Sequence, residues 1–164
     1  MNPYTNGSTN GDGNKGGWEY SEMRTYVNSD IYNALPTTLK NGIKNTTVVS
    51  GHGPNDSANF TTTDKLYLLS TKEVWEKEGT SNVINNDTAE AETRQLDYYK
   101  NNNVTTSNYS GAIKKNGTSD SRWWLRSACS LTDYTFFDVT SDGGWNYKLI
   151  SYNTSGVSPA FRIG

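Results

Sequence analysis

The sequence has little of what metal-dependent and disulfide-stabilised proteins need, because its 164 residues include only one cysteine and one histidine. Cys129 alone cannot form an internal disulfide, so cysteine usage gives no information on the redox compartment. Transition-metal sites favour several His or Cys ligands, and His52 and Cys129 supply one of each. We therefore predict no zinc site and no cofactor.

Long apolar runs and clustered positive charge are also missing. No stretch of about 18 apolar residues is present to span a membrane, and the N-terminus lacks the charged and apolar regions of a signal peptide. Lys and Arg total 15 against 17 Asp and Glu, a net charge of -2. They form no basic stripe of the kind that displaces counterions from nucleic-acid phosphates. We predict no membrane insertion and no nucleic-acid partner.

The two reactive side chains do not indicate a catalytic pair. Cys129 would need a base to act as a nucleophile, and the only imidazole, His52, lies in a distant glycine-rich loop. No sequence signature links the two residues, although the fold could still bring them together. We predict that the protein is not an enzyme.

Oxygen ligands that calcium could use occur in one short region, at Asp133, Asp138, Asp142 and Asn146. Calcium needs only oxygen ligands, but the spacing of an EF-hand is absent. We interpret these residues as solvated turn residues and predict no metal site.

Aromatic residues are abundant, at 12% of the chain with five Trp and eleven Tyr, while the hydrophobic fraction is only 32%. Disordered chains usually combine few aromatics with high net charge, so this composition predicts a folded protein. The length fits a single domain. Each packed aromatic side chain buries roughly 150 to 250 Å². We expect aromatics to anchor a small core and also to line a surface.

The N-terminal residues are Asn, Gly, Ser and Thr without periodicity. We predict a flexible segment over residues 1–17 and a folded domain over residues 18–164. Ser21 is a good N-cap, and the apolar spacing that follows it predicts an amphipathic packing helix that ends at Pro36.

Strands and further helices are predicted in the middle of the chain. Thr and Val content favours a strand at 44–50, and the apolar run at 65–69 favours another. Capping patterns beginning at Ser70 and at Asp87, each with Glu three residues later, predict the starts of two more helices. Residues 101–121 are predicted to form a long polar loop.

From residue 122 onward, short β-prone runs alternate with Gly and Asp turns. Asp142 and Gly143 predict a hairpin turn, because Asp-Gly tolerates the positive φ angles that such turns require. Helices that precede antiparallel strands predict an α+β domain with small sheets and long loops. The predicted strands lie at 123–125, 134–139, 146–152 and 157–163.

Adjacent Trp123 and Trp124 point to opposite faces of a strand, so at least one should enter the core. Arg122 and Arg126 share the face of Trp124, in a row suited to cation-π stacking or to pairing with a buried carboxylate. We prefer the interpretation that this motif frames the core.

Residues 128–152 follow no clean alternation of buried and exposed positions. Tyr and Trp give large contact area at low entropic cost, and Ser, Asn and Gly supply adaptable hydrogen bonds, which is the composition of antibody loops. We interpret the segment as a binding surface, with Phe137 and Val139 assigned to the core.

Three segments together resemble a known family. They are Gly17-Trp18-x-x-Ser21-x-Met23-Arg24-x-Tyr26-x-Asn28, the run TDKLYLLS at 63–70, and WWLRS at 123–127 closing with GVSPAFRI at 156–163. Similar sequences occur in bacterial and phage proteins with the C-type lectin fold, in the variant shared with formylglycine-generating enzymes. Many of these resemble the variable proteins of diversity-generating retroelements, in which adenine-directed mutagenesis of Asn codons randomises a C-terminal segment.

The resemblance implies a C-type lectin fold and a variable region at about 128–152, displayed as a calcium-independent ligand-binding surface on a scaffold of WWLRS and GVSPAFRI. Relatives often have Arg at the position of Ser158. A salt bridge that such an Arg would form in the relatives is therefore not expected in this protein. The paired cysteines of formylglycine-generating enzymes are absent, so that activity does not transfer either. The implied ligand-binding residues are Leu131, Thr132, Asp133, Tyr134, Phe136, Trp145, Tyr147 and Tyr152.

The expected partner is a protein or glycan ligand on a cell surface, and the expected location is a phage virion or the bacterial cell surface. The alternative is a static adhesive module of a bacterial surface protein, or a carbohydrate-binding module that stacks sugars on Trp145 or Tyr147. The oligomeric state is left open by the sequence.

Overall fold

The computed structural model describes residues 13–79, 83–149 and 154–164. Helical elements fill much of the first hundred residues, and antiparallel strands dominate the rest, which confirms the α+β class. Within the described ranges, no helix is both long and apolar enough to cross a membrane.

The first helix begins where its cap predicts. The Ser21 hydroxyl accepts a hydrogen bond from the Arg24 N–H at 3.1 Å, and α1 (Glu22–Tyr26) continues through a π-helical turn (Val27–Ile31) into α2 (Tyr32–Ala34). Met23 and Val27 are buried on its inner face. The helix ends before Pro36, as expected, because the residue preceding a proline avoids helical geometry.

The remaining helices are short. They are α3 (Thr37–Gly42), α4 (Thr71–Val74), α5 (Asp97–Asn101) and the 3-10 turns Ile84–Asn86, Glu90–Glu92 and Ser110–Ala112. The capping box at α4 is confirmed, since Ser70 Oγ accepts from the Glu73 N–H and Glu73 Oε2 accepts from the Ser70 N–H.

The second predicted capping pattern is wrong. Asp87 Oδ1 accepts a hydrogen bond from the Ala89 N–H, and its Oδ2 accepts hydrogen bonds from the hydroxyls of Thr71 and Ser127. The carboxylate is therefore used to join distant segments in the core, and only a 3-10 turn follows it. The helix expected there, α5, begins ten residues later at Asp97 without a side-chain cap.

The described strands are β1 (Ile43–Lys44), β2 (Thr46–Ser50), β3 (Phe60–Asp64), β4 (Lys114–Asn116), β5 (Ser119–Ser121), β6 (Trp123–Ala128), β7 (Thr135–Val139), β8 (Trp145–Leu149) and β9 (Arg162–Ile163). All of the described sheets are small and antiparallel: β1 pairs with β9, β2 with β3, β4 with β5, and β6, β7 and β8 form a three-stranded sheet in that order. The predicted loop at 101–121 thus contains a hairpin, β4–β5.

The strand predicted at 65–69 does not form, although Leu66, Leu68 and Leu69 are buried. Its backbone is bound by side chains instead: the Asn28 amide accepts from the Leu66 N–H and donates to the Leu66 carbonyl. Tyr67 makes an isolated bridge to Ala160. Side-chain and isolated backbone hydrogen bonds together satisfy these buried groups without a strand ladder, so apolar character alone misidentified the element.

The predicted boundary at Trp18 is too late. Residues 13–17 form turns packed on the domain, and Asn14, Gly16 and Gly17 are buried. Residues 1–12, the rest of the predicted flexible segment, lie outside the described residues.

Aromatic residues anchor the core as the composition predicts. Trp18, Trp75, Trp123 and Trp124 are buried, while Trp145 is exposed. Both members of the Trp123–Trp124 pair enter the core, because the sheet is covered on both faces along β6.

Arg126 is a charged side chain that is only 1% exposed. A bulge in β6 between Trp124 and Ala128 turns this part of the strand toward residues 66–70, where the Arg126 N–H donates to the Leu69 carbonyl at 2.9 Å. The guanidinium donates to the carbonyls of Val49 and Leu68, and it pairs with Glu73 Oε2 at 2.5 Å. This one cation therefore joins β2, residues 66–70 and α4 to the central sheet.

We predict that Arg126→Met lowers the free energy of unfolding by about 3 to 5 kcal/mol, because it removes the cation paired with Glu73 and the side-chain donor to the carbonyls of Val49 and Leu68. Urea denaturation followed by tryptophan fluorescence measures the change. Arg94→Met is the matched control: Arg94 pairs with Asp97 on the surface, at 3.2 Å with both side chains over 70% exposed, and such pairs contribute at most about 1 kcal/mol. Equal losses in the two variants would contradict this account of Arg126.

Candidate binding surface

The β7–β8 hairpin forms at the predicted turn. The Thr140 N–H donates to the Gly144 carbonyl at 2.8 Å, and Gly143 has a φ of 89°. The Trp75 indole N–H donates to the Gly143 carbonyl at 3.2 Å. The turn is therefore fixed to the core as well as closed on itself.

The two strands of this hairpin differ in burial. Every residue of β7 is buried, whereas β8 alternates. Trp145, Tyr147 and Leu149 lie opposite Val139, Phe137 and Thr135, and they are 38%, 40% and 51% exposed. We call these three side chains the β8 row. They share one face of β8, which is an edge strand. Together they form a large exposed apolar stripe beside the buried strand β7.

The loop that enters β7 carries two more exposed apolar side chains. Leu131 is 64% exposed and Tyr134 is 48% exposed, while Thr132 and Asp133 are half-buried. Because Thr135 pairs with Leu149, the loop lies at the Leu149 end of the hairpin. We call residues 130–134 the display loop.

Asn14 holds the display loop in place. Its side-chain amide N–H groups donate to the carbonyls of Cys129, Thr132 and Thr135 at 3.1, 2.7 and 3.0 Å, and its backbone N–H donates to the Asp133 carbonyl. A Cβ at Gly53 would lie 2.0 Å from Asn14 Oδ1, so a glycine is required there. The loop is therefore fixed by a residue far away in the sequence.

Most predicted ligand-binding residues are at the surface, with one clear exception. Phe136 is only 1% exposed, so its expected display is wrong: it lies on the opposite face of β7 from Phe137 and is part of the core. Phe137 and Val139 are buried as predicted. Tyr152 lies outside the described residues. Leu149 was missed, although its spacing of two from Tyr147 and four from Trp145 could have identified it.

Beneath the hairpin lies a buried ion pair. Arg122 binds both oxygens of Asp138 with its Nε and Nη2 at 2.8 Å, and the Ser155 hydroxyl donates to Asp138 Oδ2. Burial raises the pKa of Asp138, and the Arg122 guanidinium opposes that rise. The interpretation of Asp138 as a solvated turn residue is wrong, because its register opposite Trp124 carries it into the interior. Both arginines of the row pair with a carboxylate, Arg122 with Asp138 and Arg126 with Glu73, which is one of the two interactions that the sequence left open. Arg126 also lies 5.8 Å from the Tyr67 ring centroid.

The remaining candidate groups are Cys129, His52 and Asp142. Cys129 is buried, and His52 Nδ1 contacts the Gly53 carbonyl at 2.7 Å. Over the described ranges, no hydrogen bond joins these two side chains, and no three His, Cys, Asp or Glu side chains are grouped to hold a metal ion. Asp142 is exposed, and hydrogen bonds from the Thr140 hydroxyl and the Gly144 N–H lower its pKa.

A family model described as Domain of unknown function (DUF6273) matches residues 3–164. No curated protein and no solved structure matches this chain.

We predict that Asn14→Ala lowers the free energy of unfolding by about 1 to 3 kcal/mol, since three carbonyls lose a buried donor. It should also increase amide hydrogen exchange in residues 130–134 while β7 stays protected. Asn14→Asp should be more damaging at pH 7, because it places a carboxylate among carbonyl oxygens. Its folded-state pKa would be raised, so the extra loss should disappear as the pH falls below about 3.9.

The control for both variants is Asn102→Ala, which removes an exposed amide that donates to the Tyr98 carbonyl. It should change neither the exchange of the display loop nor the stability by more than about 1 kcal/mol. Unchanged exchange in Asn14→Ala would show that Asn14 does not hold the loop.

Proposed function

This chain belongs to the DUF6273 family, and we propose that it is a non-enzymatic ligand-binding display domain with the C-type lectin fold. The observation that carries the proposal is the β8 row beside the display loop. Five large apolar side chains are held at the surface there: Leu131, Tyr134, Trp145, Tyr147 and Leu149.

The composition of this surface suits protein or glycan recognition. Binding hot spots are enriched in Trp and Tyr and surrounded by polar groups that exclude water. Thr132 and Asp133 supply polar groups in the display loop. Exposed apolar patches on a folded domain commonly mark interaction sites. A carbohydrate-binding role would use the same surface, with sugar rings stacked on Trp145 or Tyr147.

The burial pattern divides the proposed variable region into two parts. Substitution of β7 residues would disturb the core, because Phe136, Phe137, Asp138 and Val139 are all buried. Substitution in the display loop and the β8 row would alter exposed or half-buried side chains over an unchanged backbone. Retroelement-directed variation of a phage or bacterial surface protein would therefore be tolerated at these positions and not in β7.

We predict that a phage-displayed library randomised in the display loop and β8 row yields specific binders to a purified test protein such as lysozyme. A matched library has seven exposed positions randomised elsewhere, and it should yield none under the same selection. The first library varies Leu131, Thr132, Asp133, Tyr134, Trp145, Tyr147 and Leu149; the second varies Tyr20, Glu22, Thr25, Arg94, Asp97, Tyr98 and Lys100. Equal success or equal failure of the two libraries would contradict a dedicated display surface.

We also predict that natural variation follows burial. Deep sequencing of the gene in a population of its source should show substitutions concentrated at the display loop and β8 row, with residues 123–127, 135–139 and 156–163 constant. A template repeat near the gene with Asn codons at the variable positions would accompany this pattern. Substitutions spread evenly over exposed positions of the whole domain would refute programmed variation and favour the static adhesive module.

A further inference from the structure

A partly buried lysine faces a cavity at the β4–β5 hairpin. Lys114, the first residue of β4, lines a cavity of about 310 Å³. Trp123 and Ser158 lie on its walls, with Lys115 and Arg122 nearby in the same lining. This volume is at the lower end of the range that small-ligand pockets occupy.

The contacts of Lys114 leave its charge without an acidic partner. Its Nζ lies 3.9 Å from the centroid of the Trp123 ring and 2.5 Å from Ser158 Oγ. Among the described residues, no carboxylate forms an ion pair with it. The next residue, Lys115, pairs with Asp120 at 2.6 Å and is largely exposed. Of these two consecutive lysines, Lys114 is therefore partly buried without a described acidic partner, and Lys115 is exposed and paired with one.

Burial disfavours the protonated form of Lys114. Lys115 and Arg122 face the same cavity, and none of the described lining residues is acidic. Tyr98 and Tyr99 face a second depression of about 340 Å³ that Lys114 also lines. Burial lowers the pKa of Lys114 to about 8. The Ser158 hydroxyl can donate its hydrogen bond to the neutral amine.

We propose that Lys114 is a covalent capture site for small oxo acids, which are carbonyl compounds that carry a carboxylate. A desolvated lysine is the side chain that forms Schiff bases with carbonyl compounds. Lys115 and Arg122 also line the cavity, while the aspartates that pair with them, Asp120 and Asp138, are not among its described lining residues. A ligand carboxylate would therefore meet cationic side chains and no acidic one.

The reaction is a reversible condensation. The lone pair of the neutral Nζ attacks the carbonyl carbon, a C–N bond forms, and the π electrons of the carbonyl move to its oxygen. The oxygen takes up a proton and the nitrogen releases one. The resulting carbinolamine loses water and becomes an imine. One amine and one carbonyl compound thus give one imine and one water, and nothing is oxidised or reduced.

Reductive trapping tests this proposal. The full-length protein is treated with glyoxylate and cyanoborohydride, which reduces the imine to a stable secondary amine, and peptide mass spectrometry follows the initial rate at each lysine. At pH 7 the free-amine fraction of Lys114 should be on the order of a hundredfold that of an ordinary lysine. We expect Lys114 to be labelled at least about tenfold faster than Lys115. The ratio of the two rates should fall as the pH rises from about 8 to 10.5.

Matched variants separate the two lysines. Lys115→Arg should retain the fast site, and Lys114→Arg should lose it, with urea denaturation confirming that both variants fold. Propionaldehyde, which is uncharged, should show a smaller preference for Lys114 than glyoxylate does. Labelling of Lys114 no faster than of Lys115 would overturn the capture site. Equal selectivity for the two aldehydes would overturn its assignment to oxo acids.

A second measurement is independent of labelling. Because the pKa of Lys114 is lower in the folded than in the unfolded protein, the free energy of unfolding should rise with pH between about 8 and 10.5. Lys114→Met should remove this rise, and Lys115→Met should keep it. The difference between wild type and Lys114→Met isolates this contribution from that of buried Tyr99, whose raised pKa acts in the opposite direction above pH 10. The same pH dependence in the two proteins would show that Lys114 is not desolvated, which would also overturn the proposal.

Discussion

The buried guanidinium of Arg126 is the constraint on which much of the structure depends. A desolvated cation must be fully paired, and its partners are backbone carbonyls of two segments together with Glu73. Glu73 simultaneously completes the capping box of α4. The Arg126 side chain therefore fixes the positions of β2, residues 66–70 and α4 relative to the central sheet. A small aliphatic core would hold these segments less specifically. The indole rings of Trp18, Trp75 and Trp124 fill the space that remains.

The proposed binding surface is rigid because its supports are buried. β7 lies between β6 and β8 in the sheet, so its side chains are fixed while the β8 row stays at the edge. The display loop is bound by Asn14, and the hairpin turn is bound by Trp75. A surface that is ordered before binding loses less conformational entropy when a ligand arrives. Exposed side chains can then change without loss of the scaffold.

Pairing with a carboxylate distinguishes the other basic side chains near the cavity from Lys114, the proposed reactive lysine. Arg122 is paired with Asp138, and Lys115 with Asp120. Lys114 is held by an aromatic ring and a hydroxyl instead. Such contacts stabilise an ammonium less than a carboxylate does, so burial decides its protonation. The display surface would bind by shape and apolar contact, whereas Lys114 would act through its lone pair.

The sequence by itself determined the features that neighbouring residues encode. The cap at Ser21, the capping box at Ser70 and the turn at Gly143 each depend on groups within four residues of one another. The order of helix-prone and strand-prone segments was sufficient for the α+β class. Only the tertiary structure decided the burial of Phe136 and Asp138 and the role of Asn14, whose side-chain partners lie more than a hundred residues away. It also decided that residues 66–69 bind a mixture of side chains and isolated backbone groups instead of a continuous strand ladder. Local sequence patterns indicate which helix, strand or turn conformation a residue favours. The partner that satisfies a buried polar group is determined by the whole fold.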